Sequence, residues 1–126
     1  MHSMARFLIW SALFGGSAFA AHADQITFQN DLSACASITA TKPSTESNVV
    51  WANTRVQLRK SIGECGCLSA LATYTSSVNR GGVRQVLQEG LIDLGSGGER
   101  KLVLATDPAL VANKQVQVRL ACTGPL

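Results

Sequence analysis

Four cysteines in a short chain constrain the fold more than any other feature of this sequence. Two of them form the unit Cys65-Gly66-Cys67, and the other two, Cys35 and Cys122, lie far from it on either side. In a short exported protein, an even number of cysteines is typical of a disulfide framework. The sequence therefore predicts a small domain that is held together by two disulfides.

The first 23 residues have the pattern of a secretory signal peptide, which would deliver the chain to an oxidising compartment. Arg6 supplies the positive charge, residues 7–19 form an apolar run, and Ala21-His22-Ala23 is a small-x-small cleavage site. The apolar run is shorter than the ~20 residues that a membrane-spanning helix needs. We therefore expect cleavage after Ala23 and no transmembrane segment afterwards. The mature chain would be one domain over residues 24–126, either periplasmic in a Gram-negative bacterium or secreted from it.

Cleavage would also remove both histidines and both methionines of the sequence, because all four precede the cleavage site. A chain without histidine has no Ser-His-Asp triad and no Cys-His nucleophile pair. The eight acidic residues show no spacing that singles out a pair of catalytic carboxylates. We therefore expect no catalytic residues, no cofactor and no enzymatic activity.

The charge pattern indicates a soluble protein rather than one that binds nucleic acid. The formal net charge of the whole chain is +3, and the charges are scattered along it. After cleavage only Phe28, Trp51 and Tyr74 remain as aromatic residues, too few for a platform on which bases stack. We interpret Arg55, Arg59 and Lys60 as a solvated face rather than as a cationic patch for anionic lipid or a partner.

Hydrophobic residues alternate with polar ones in several short segments, and this period of two is typical of half-buried strands. The clearest case runs through Val116, Val118 and Leu120, and Val56 and Leu58 belong to another. Turn-forming stretches separate these segments. Six to eight short strands of this kind predict an all-β protein, an antiparallel β-sandwich that is immunoglobulin-like in size, with a small β-barrel as the alternative.

Two further predictions concern a possible short helix and the position of Trp51. Between Gly82 and Gly90, the residues Val83, Val86 and Leu87 have helical spacing, which leaves a short helix open there. Trp51 stands in a strand beside two valines, and we predict that it lies in the core of the sandwich near a disulfide.

The connectivity of the disulfides is open on sequence alone, because four cysteines allow three pairings. In an extended strand, residues i and i+2 lie about 6.6 Å apart, near the upper limit for a disulfide. A Cys65–Cys67 bond therefore needs a bent backbone, which Gly66 would permit. Our first choice is Cys35–Cys122 with Cys65–Cys67, and the crossed pairings, in which Cys65 and Cys67 bridge to the distant cysteines, remain nearly as good.

Two functional alternatives follow from the Cys-Gly-Cys unit. A short, bent Cys65–Cys67 bond would be easily reduced, and the pair could then exchange thiols with other proteins. The four thiolates could instead carry Cu(I) or Zn(II), although no histidine or methionine is left to complete a copper site. We expect structural disulfides rather than either alternative, and we assign no metal ligands.

One segment of the chain resembles a family of small secreted proteins of Gram-negative bacteria, a domain-of-unknown-function family. The resembling residues are Lys60, Ser61, Cys65, Gly66, Cys67, Ser69, Ala70 and Tyr74. A lone cysteine near the mature N-terminus, Cys35, and a cysteine before a Gly-Pro ending, Cys122, are similar too. The resemblance implies a periplasmic, β-rich protein without an assigned activity, and it carries over no catalytic residue.

These observations favour a non-enzymatic envelope module that binds a protein partner. A sheet edge offers unpaired backbone groups to which an extended segment of another protein can add as a strand. The C-terminal strand, Gln115–Cys122, is one candidate for such an edge.

Overall fold

A computed structural model describes residues 25–124, and most of this part of the chain folds into strands. The strands in chain order are β1 (Gln25–Asn30), β2 (Ala36–Ala40), β3 (Ser44–Glu46), β4 (Val49–Leu58), β5 (Leu71–Arg80), β6 (Val83–Asp93), β7 (Gly98–Ala105) and β8 (Gln115–Cys122). Two short 3₁₀ helices, Ile62–Cys65 and Pro108–Leu110, lie in the connections. The predicted signal peptide, residues 1–23, lies outside the described residues.

The strands form two sheets. In the first sheet the order is β1-β8-β5-β6. In the second sheet β4 is central, with β2 and β3 along one edge and β7 along the other. Only β1 and β8 pair in parallel within the described residues, and every other pair is antiparallel. The two sheets do not close into a barrel, so the prediction of an all-β sandwich is confirmed and the barrel alternative is not formed.

The order in which the strands pair differs from that of immunoglobulin domains. In immunoglobulin domains the last strand pairs with the strand that precedes it in the chain. Here the last strand, β8, lies between β1 and β5, and the preceding strand, β7, belongs to the opposite sheet. The likeness to immunoglobulin domains is therefore one of size and of two-layered architecture.

The core forms where the inward faces of the two sheets meet, and the period of two along each strand determines which residues enter it. On β4 the buried residues are Val50, Ala52, Thr54 and Val56, and on β8 they are Val116, Val118 and Leu120. Burying one such branched side chain stabilises a fold by about 1.5–3 kcal/mol. The one hydroxyl in this set is satisfied, because Thr54 Oγ1 donates a hydrogen bond to the Arg100 carbonyl at 2.8 Å.

Trp51 is not in the core, so that prediction is wrong. Since Val50 and Ala52 on either side of it are buried at 1% exposure, Trp51 must point to the outer face of the second sheet. There it is half-buried, and Lys101 Nζ lies 4.4 Å from the centre of its ring. Three consecutive apolar residues begin β4, and such a run conceals which face each residue occupies.

The Gly82–Gly90 segment forms no helix and belongs to strand β6 instead. Gly81 and Gly82 have φ angles of +62° and +84° and make a two-residue hairpin turn. Ser76 pairs with Gln88 and Ser77 with Val86, so Leu87 is an extra residue, a β-bulge in β6. Val83 and Val86 precede the bulge, point to opposite faces of β6 and are both exposed, so burial does not impose the period of two on this part of the strand.

Tyr74 joins the two sheets. Its ring is buried, and its hydroxyl donates a hydrogen bond to the Val103 carbonyl of β7 at 3.0 Å. Burial raises the pKa of Tyr74 above 10.0. Gly90 lies opposite Tyr74, and a Cβ atom there would come within 2.6 Å of the ring. The absence of a side chain at Gly90 therefore makes room for the tyrosine.

Candidate functional site: the disulfide cluster and the open edge of β6

The structure pairs Cys35 with Cys65 and Cys67 with Cys122, so our first choice of connectivity is wrong and a crossed pairing is found. Cys65 ends a 3₁₀ helix, and Gly66 follows it in the left-handed region with a φ of +96°. This turn points the two neighbouring cysteines in different directions. The Cα atoms lie 6.2 Å apart in the Cys35–Cys65 bridge and 5.1 Å apart in the other, both within the normal range.

Each disulfide ties the Cys-Gly-Cys unit to a different sheet. Cys35 directly precedes β2, and its carbonyl accepts hydrogen bonds from Arg59 N at 2.7 Å and Lys60 N at 3.2 Å, so the Cys35–Cys65 bridge closes the end of the second sheet. Cys122 ends β8 in the first sheet. The bridges span 30 and 55 residues of sequence, and the chain-entropy model assigns each about 4 kcal/mol.

The redox alternative predicted a bond between Cys65 and Cys67, and that bond is not formed. Each sulfur is bonded to a distant cysteine, and the described residues contain no free cysteine. Cys35 and Cys67 are buried, at 0% and 7% exposure, so each bridge has one sulfur-bearing residue inside the core. For the metal alternative, residues 25–124 contain no group of three or more His, Cys, Asp or Glu side chains that could hold an ion.

The basic residues that the sequence singles out, Arg55, Arg59 and Lys60, are all exposed. Arg55 makes an ion pair with Glu99 at 3.1 Å, and both side chains are mostly exposed. Arg59 donates a hydrogen bond to the Ser33 carbonyl at 2.8 Å. An exposed ion pair contributes at most about 1 kcal/mol, so these contacts are typical of a solvated surface.

The C-terminal strand is not a sheet edge, contrary to our expectation. β8 pairs with β1 along one side and with β5 along the other, so both of its edges are occupied. The reason is the parallel addition of β1 at the side of β8 that would otherwise be open. A parallel pair between strands at the two ends of a chain leaves no local signal in the sequence.

Four edges remain in the described sandwich, and β6 offers the longest. The edge of β7 is partly covered, because Tyr74 and Ser76 donate their hydroxyls to the carbonyls of Val103 and Leu104. β1 and β2 are short, and the Asn30 side chain of β1 donates to the first carbonyl of β2. β6 has 11 residues, pairs only with β5, and presents its other side to solvent.

One hydrogen bond sets the phase of the β5–β6 ladder. Leu94 N donates to the Ala70 carbonyl at 2.8 Å, and these residues continue the register in which Leu71 faces Asp93. In an antiparallel ladder, every second pair of opposed residues exchanges hydrogen bonds. The residues of β6 whose backbone groups point toward β5 are therefore Ile92, Gly90 and Gln88.

The intervening residues, Glu89, Leu91 and Asp93, direct their backbone N–H and C=O groups away from β5. A second contact agrees with this phase, because Arg100 Nε donates to the Asp93 carbonyl at 3.1 Å from outside the ladder. No strand pairs with the outward groups of Glu89 and Leu91, and the one contact there is a 3.5 Å hydrogen bond that Gln88 Nε2 donates to the Glu89 carbonyl. These groups are thus a template for another strand. We call residues Gln88–Asp93 the open edge of β6, since the bulge at Leu87 separates it from the start of the strand.

Apolar side chains are exposed along this strand and beside it. The exposed fractions are 66% for Val83, 54% for Val86 and 60% for Leu91, and Leu71 on neighbouring β5 is 41% exposed. Leu91 lies opposite Thr73 and Leu71 lies opposite Asp93, so the two leucines are diagonal neighbours on one face of the first sheet. A long edge that carries exposed apolar residues is a typical site of strand addition.

A polar surface lies next to the open edge of β6. A shallow depression of about 480 Å³ lies on the outer face of the first sheet, and its charged lining residues are Arg84, Glu89 and Arg119. Arg119 is already engaged by Asp31 at 2.7 Å. The depression therefore holds one carboxylate and two guanidinium groups.

The fold and these features define a class: a small β-sandwich stapled by two disulfides, with one long open edge. Residues 8–125 match the family described as an uncharacterised protein conserved in bacteria, DUF2195, and the chain belongs to that family. The resemblance to a domain-of-unknown-function family is thereby confirmed. No curated protein and no solved structure matches the chain.

Two observations bear on where the protein resides. The two disulfides indicate an oxidising, extracellular environment, and the family is bacterial. Residues 25–124 contain no helix whose length and hydropathy would allow it to span a bilayer.

Proposed function

We propose that this protein is a non-enzymatic binding module of the Gram-negative periplasm. In this proposal it captures an extended segment of an envelope protein by adding that segment as a new strand to the open edge of β6. The observation that carries the proposal is the pair of outward-facing residues Glu89 and Leu91, whose backbone groups bond to no other strand; the Glu89 carbonyl accepts only a long hydrogen bond of 3.5 Å from the exposed side chain of Gln88. The signal-peptide pattern of residues 1–23 and the two disulfides support the periplasmic location.

Strand addition suits this surface for an energetic reason. Each backbone hydrogen bond to the incoming segment contributes about 1 kcal/mol net, and the backbone of the edge is already extended for these bonds. The apolar surface of Leu91 and Leu71 adds burial on one face. The main chain thus supplies affinity, and the alternate side chains supply selectivity.

The open edge also carries features that discourage pairing with a second copy of itself. An antiparallel pair of two β6 strands centred on Leu91 would place Glu89 of each against Asp93 of the other, and like charges directly opposite are destabilising. The bulge at Leu87 prevents the register from continuing along the whole strand. The opposed acidic residues and the bulge therefore favour a different protein, rather than a second copy of this one, as the partner.

The absence of histidine from the predicted mature chain supports a role without catalysis. In the same proposal, the Cys-Gly-Cys unit is a structural staple that fixes the sandwich and does not exchange thiols. The redox and metal-carrier alternatives have no observation in the described residues that favours them.

The test compares two substitutions at one position. Leu91→Pro removes the outward N–H, which no bond of the fold uses, whereas Leu91→Ala removes the same side chain and keeps that N–H. Each variant and the natural protein are used as bait in periplasmic extract, and the retained proteins are quantified by mass spectrometry. We expect a partner that the natural protein and Leu91→Ala retain and that Leu91→Pro loses.

Circular dichroism and thermal unfolding check that Leu91→Pro still folds. A folded Leu91→Pro protein that retains every partner of the natural protein would contradict strand addition at this edge.

A further inference from the structure

We infer that the segment captured at the open edge of β6 alternates basic, apolar and basic residues, with a lysine or arginine facing Glu89 and an apolar side chain facing Leu91. This inference rests on the proposed function and names the chemistry of the partner. It follows from the order of side chains along the edge, which reads acidic, apolar and acidic through Glu89, Leu91 and Asp93.

The geometry brings these three side chains next to the incoming strand. Residues whose backbone groups point to one edge of a strand are two apart, so their side chains share one face. Glu89, Leu91 and Asp93 therefore all lie on the outer face of the first sheet, and all three are exposed. A strand added at the edge places its directly opposed Cβ atoms about 5 Å from theirs, whichever direction it runs.

Glu89 is the stronger of the two acidic determinants. Among the described residues it takes part in no ion pair, so its charge is available to a partner. The arginines of the same face are Arg84, beyond the bulge, and Arg119, which is engaged by Asp31 at 2.7 Å. A basic residue opposite Glu89 therefore gains an attraction that nothing in the sandwich already satisfies.

Asp93 makes a weaker contribution. Its Oδ1 accepts a hydrogen bond from Gly95 N at 2.7 Å, and Arg100 donates to its carbonyl at 3.1 Å, which brings a positive charge to this end of the edge. The added strand consequently gains less from a basic residue opposite Asp93 than from one opposite Glu89.

Leu91 selects the middle position. It is 60% exposed, and Leu71, its diagonal neighbour, is 41% exposed, so an apolar side chain placed opposite Leu91 covers surface on both. A polar side chain there would leave that surface in water. The pairing window ends at the bulge on one side and at Arg100 on the other, so it accepts a strand of about five residues.

The probes are two capped seven-residue peptides that differ only in charge: Thr-Lys-Thr-Val-Thr-Lys-Thr and Thr-Glu-Thr-Val-Thr-Glu-Thr. Each is titrated into the ¹⁵N-labelled, exported and disulfide-bonded protein at low ionic strength, and amide chemical shifts are followed by NMR. We expect the lysine peptide to shift the amides of Glu89 and Leu91 and to bind about tenfold more tightly than the glutamate peptide. Glu89→Gln should abolish most of this preference, and Glu89→Lys should reverse it.

The outcomes separate the inference from the proposed function. Equal affinities, or a preference for the glutamate peptide, with shifts at Glu89 and Leu91 would overturn the inferred partner chemistry and leave strand addition standing. Shifts confined to another surface, or no shifts at millimolar peptide, would overturn both. Shifts of the β6 amides that depend on protein concentration without peptide would identify a second copy as the occupant and overturn the inference.

Discussion

Cys65 and Cys67 are separated by a single glycine, yet their disulfides tie them to opposite sheets of the sandwich. Cys65 bonds to Cys35 at the start of β2, and Cys67 bonds to Cys122 at the end of β8. The short unit thus links the two layers at one end of the molecule. The distinctive motif of the sequence is a structural joint, and the proposed binding surface lies elsewhere, on β6.

The crossed pairing makes a prediction about stability. Replacing Cys67 and Cys122 together by alanine should lower the free energy of unfolding by about 4 kcal/mol, and replacing Cys35 and Cys65 together should cost nearly as much. Urea denaturation measures both effects. A third variant, Cys65→Ala with Cys67→Ala, removes one cysteine from each bridge. It therefore breaks both bridges and should be the least stable of the three. A variant of this last kind that is as stable as either matched pair would contradict the connectivity.

Gly66 should tolerate substitution less well than Gly63, three residues earlier. At Gly66 the φ angle is +96°, so alanine there should cost about 1–2 kcal/mol, although no neighbouring atom lies within 4 Å of the added Cβ. At Gly63 the nearest atom is Ser61 Oγ at 3.4 Å and the backbone is not left-handed, so alanine should change stability little. Thermal unfolding of the two variants gives the comparison, and equal losses would show that backbone conformation is not the cause.

Gly90→Ala should destabilise the sandwich through its contact with Tyr74. The added Cβ would lie 2.6 Å from the ring, so the tyrosine must move, at a cost of about 1–3 kcal/mol. In Tyr74→Ala protein, Gly90→Ala should have a much smaller effect, because the obstructing ring is gone. A double-mutant cycle by chemical denaturation measures this coupling, and strictly additive losses would mean that the two residues do not meet.

The raised pKa of Tyr74 predicts a loss of stability at high pH. Burial keeps the folded tyrosine neutral above pH 10.0, where the unfolded side chain already ionises. Its contribution is therefore fully present below pH 10.0 and declines as the pH rises further through the folded pKa. Tyr74 is the only tyrosine in the chain, so ultraviolet titration of the phenolate reports on it alone. Tyr74→Phe is the control and should lack this part of the pH dependence.

The alternation of apolar and polar residues predicts the strands well, because in a half-buried strand only every second side chain faces the core. Alternation along β4 and β8 correctly separates inward from outward residues wherever apolar and polar residues take turns. It fails at Trp51, where three apolar residues in a row conceal the phase. It also fails in β6 before the bulge at Leu87, where Val83 and Val86 are exposed on opposite faces and burial does not set the pattern.

The candidate site was harder to predict because it depends on which strands become neighbours. The C-terminal strand is internal because β1 pairs with β8 in parallel, and no local sequence pattern indicates this pairing. The disulfide pairing depends on the left-handed turn at Gly66, which glycine permits but does not require. The apolar residues of β6 were a weak signal for this strand, because Val83, Val86 and Leu87 have the spacing of a helix.

Amide hydrogen exchange, residue by residue, tests the central claim most directly. In the free protein, the amides of Glu89 and Leu91 should exchange rapidly while those of Gly90 and Ile92, which point to β5, are protected. With a captured partner or the lysine peptide bound, Glu89 and Leu91 should become protected as well. Binding that leaves these two amides exchanging at their free rate would contradict strand addition at the open edge of β6.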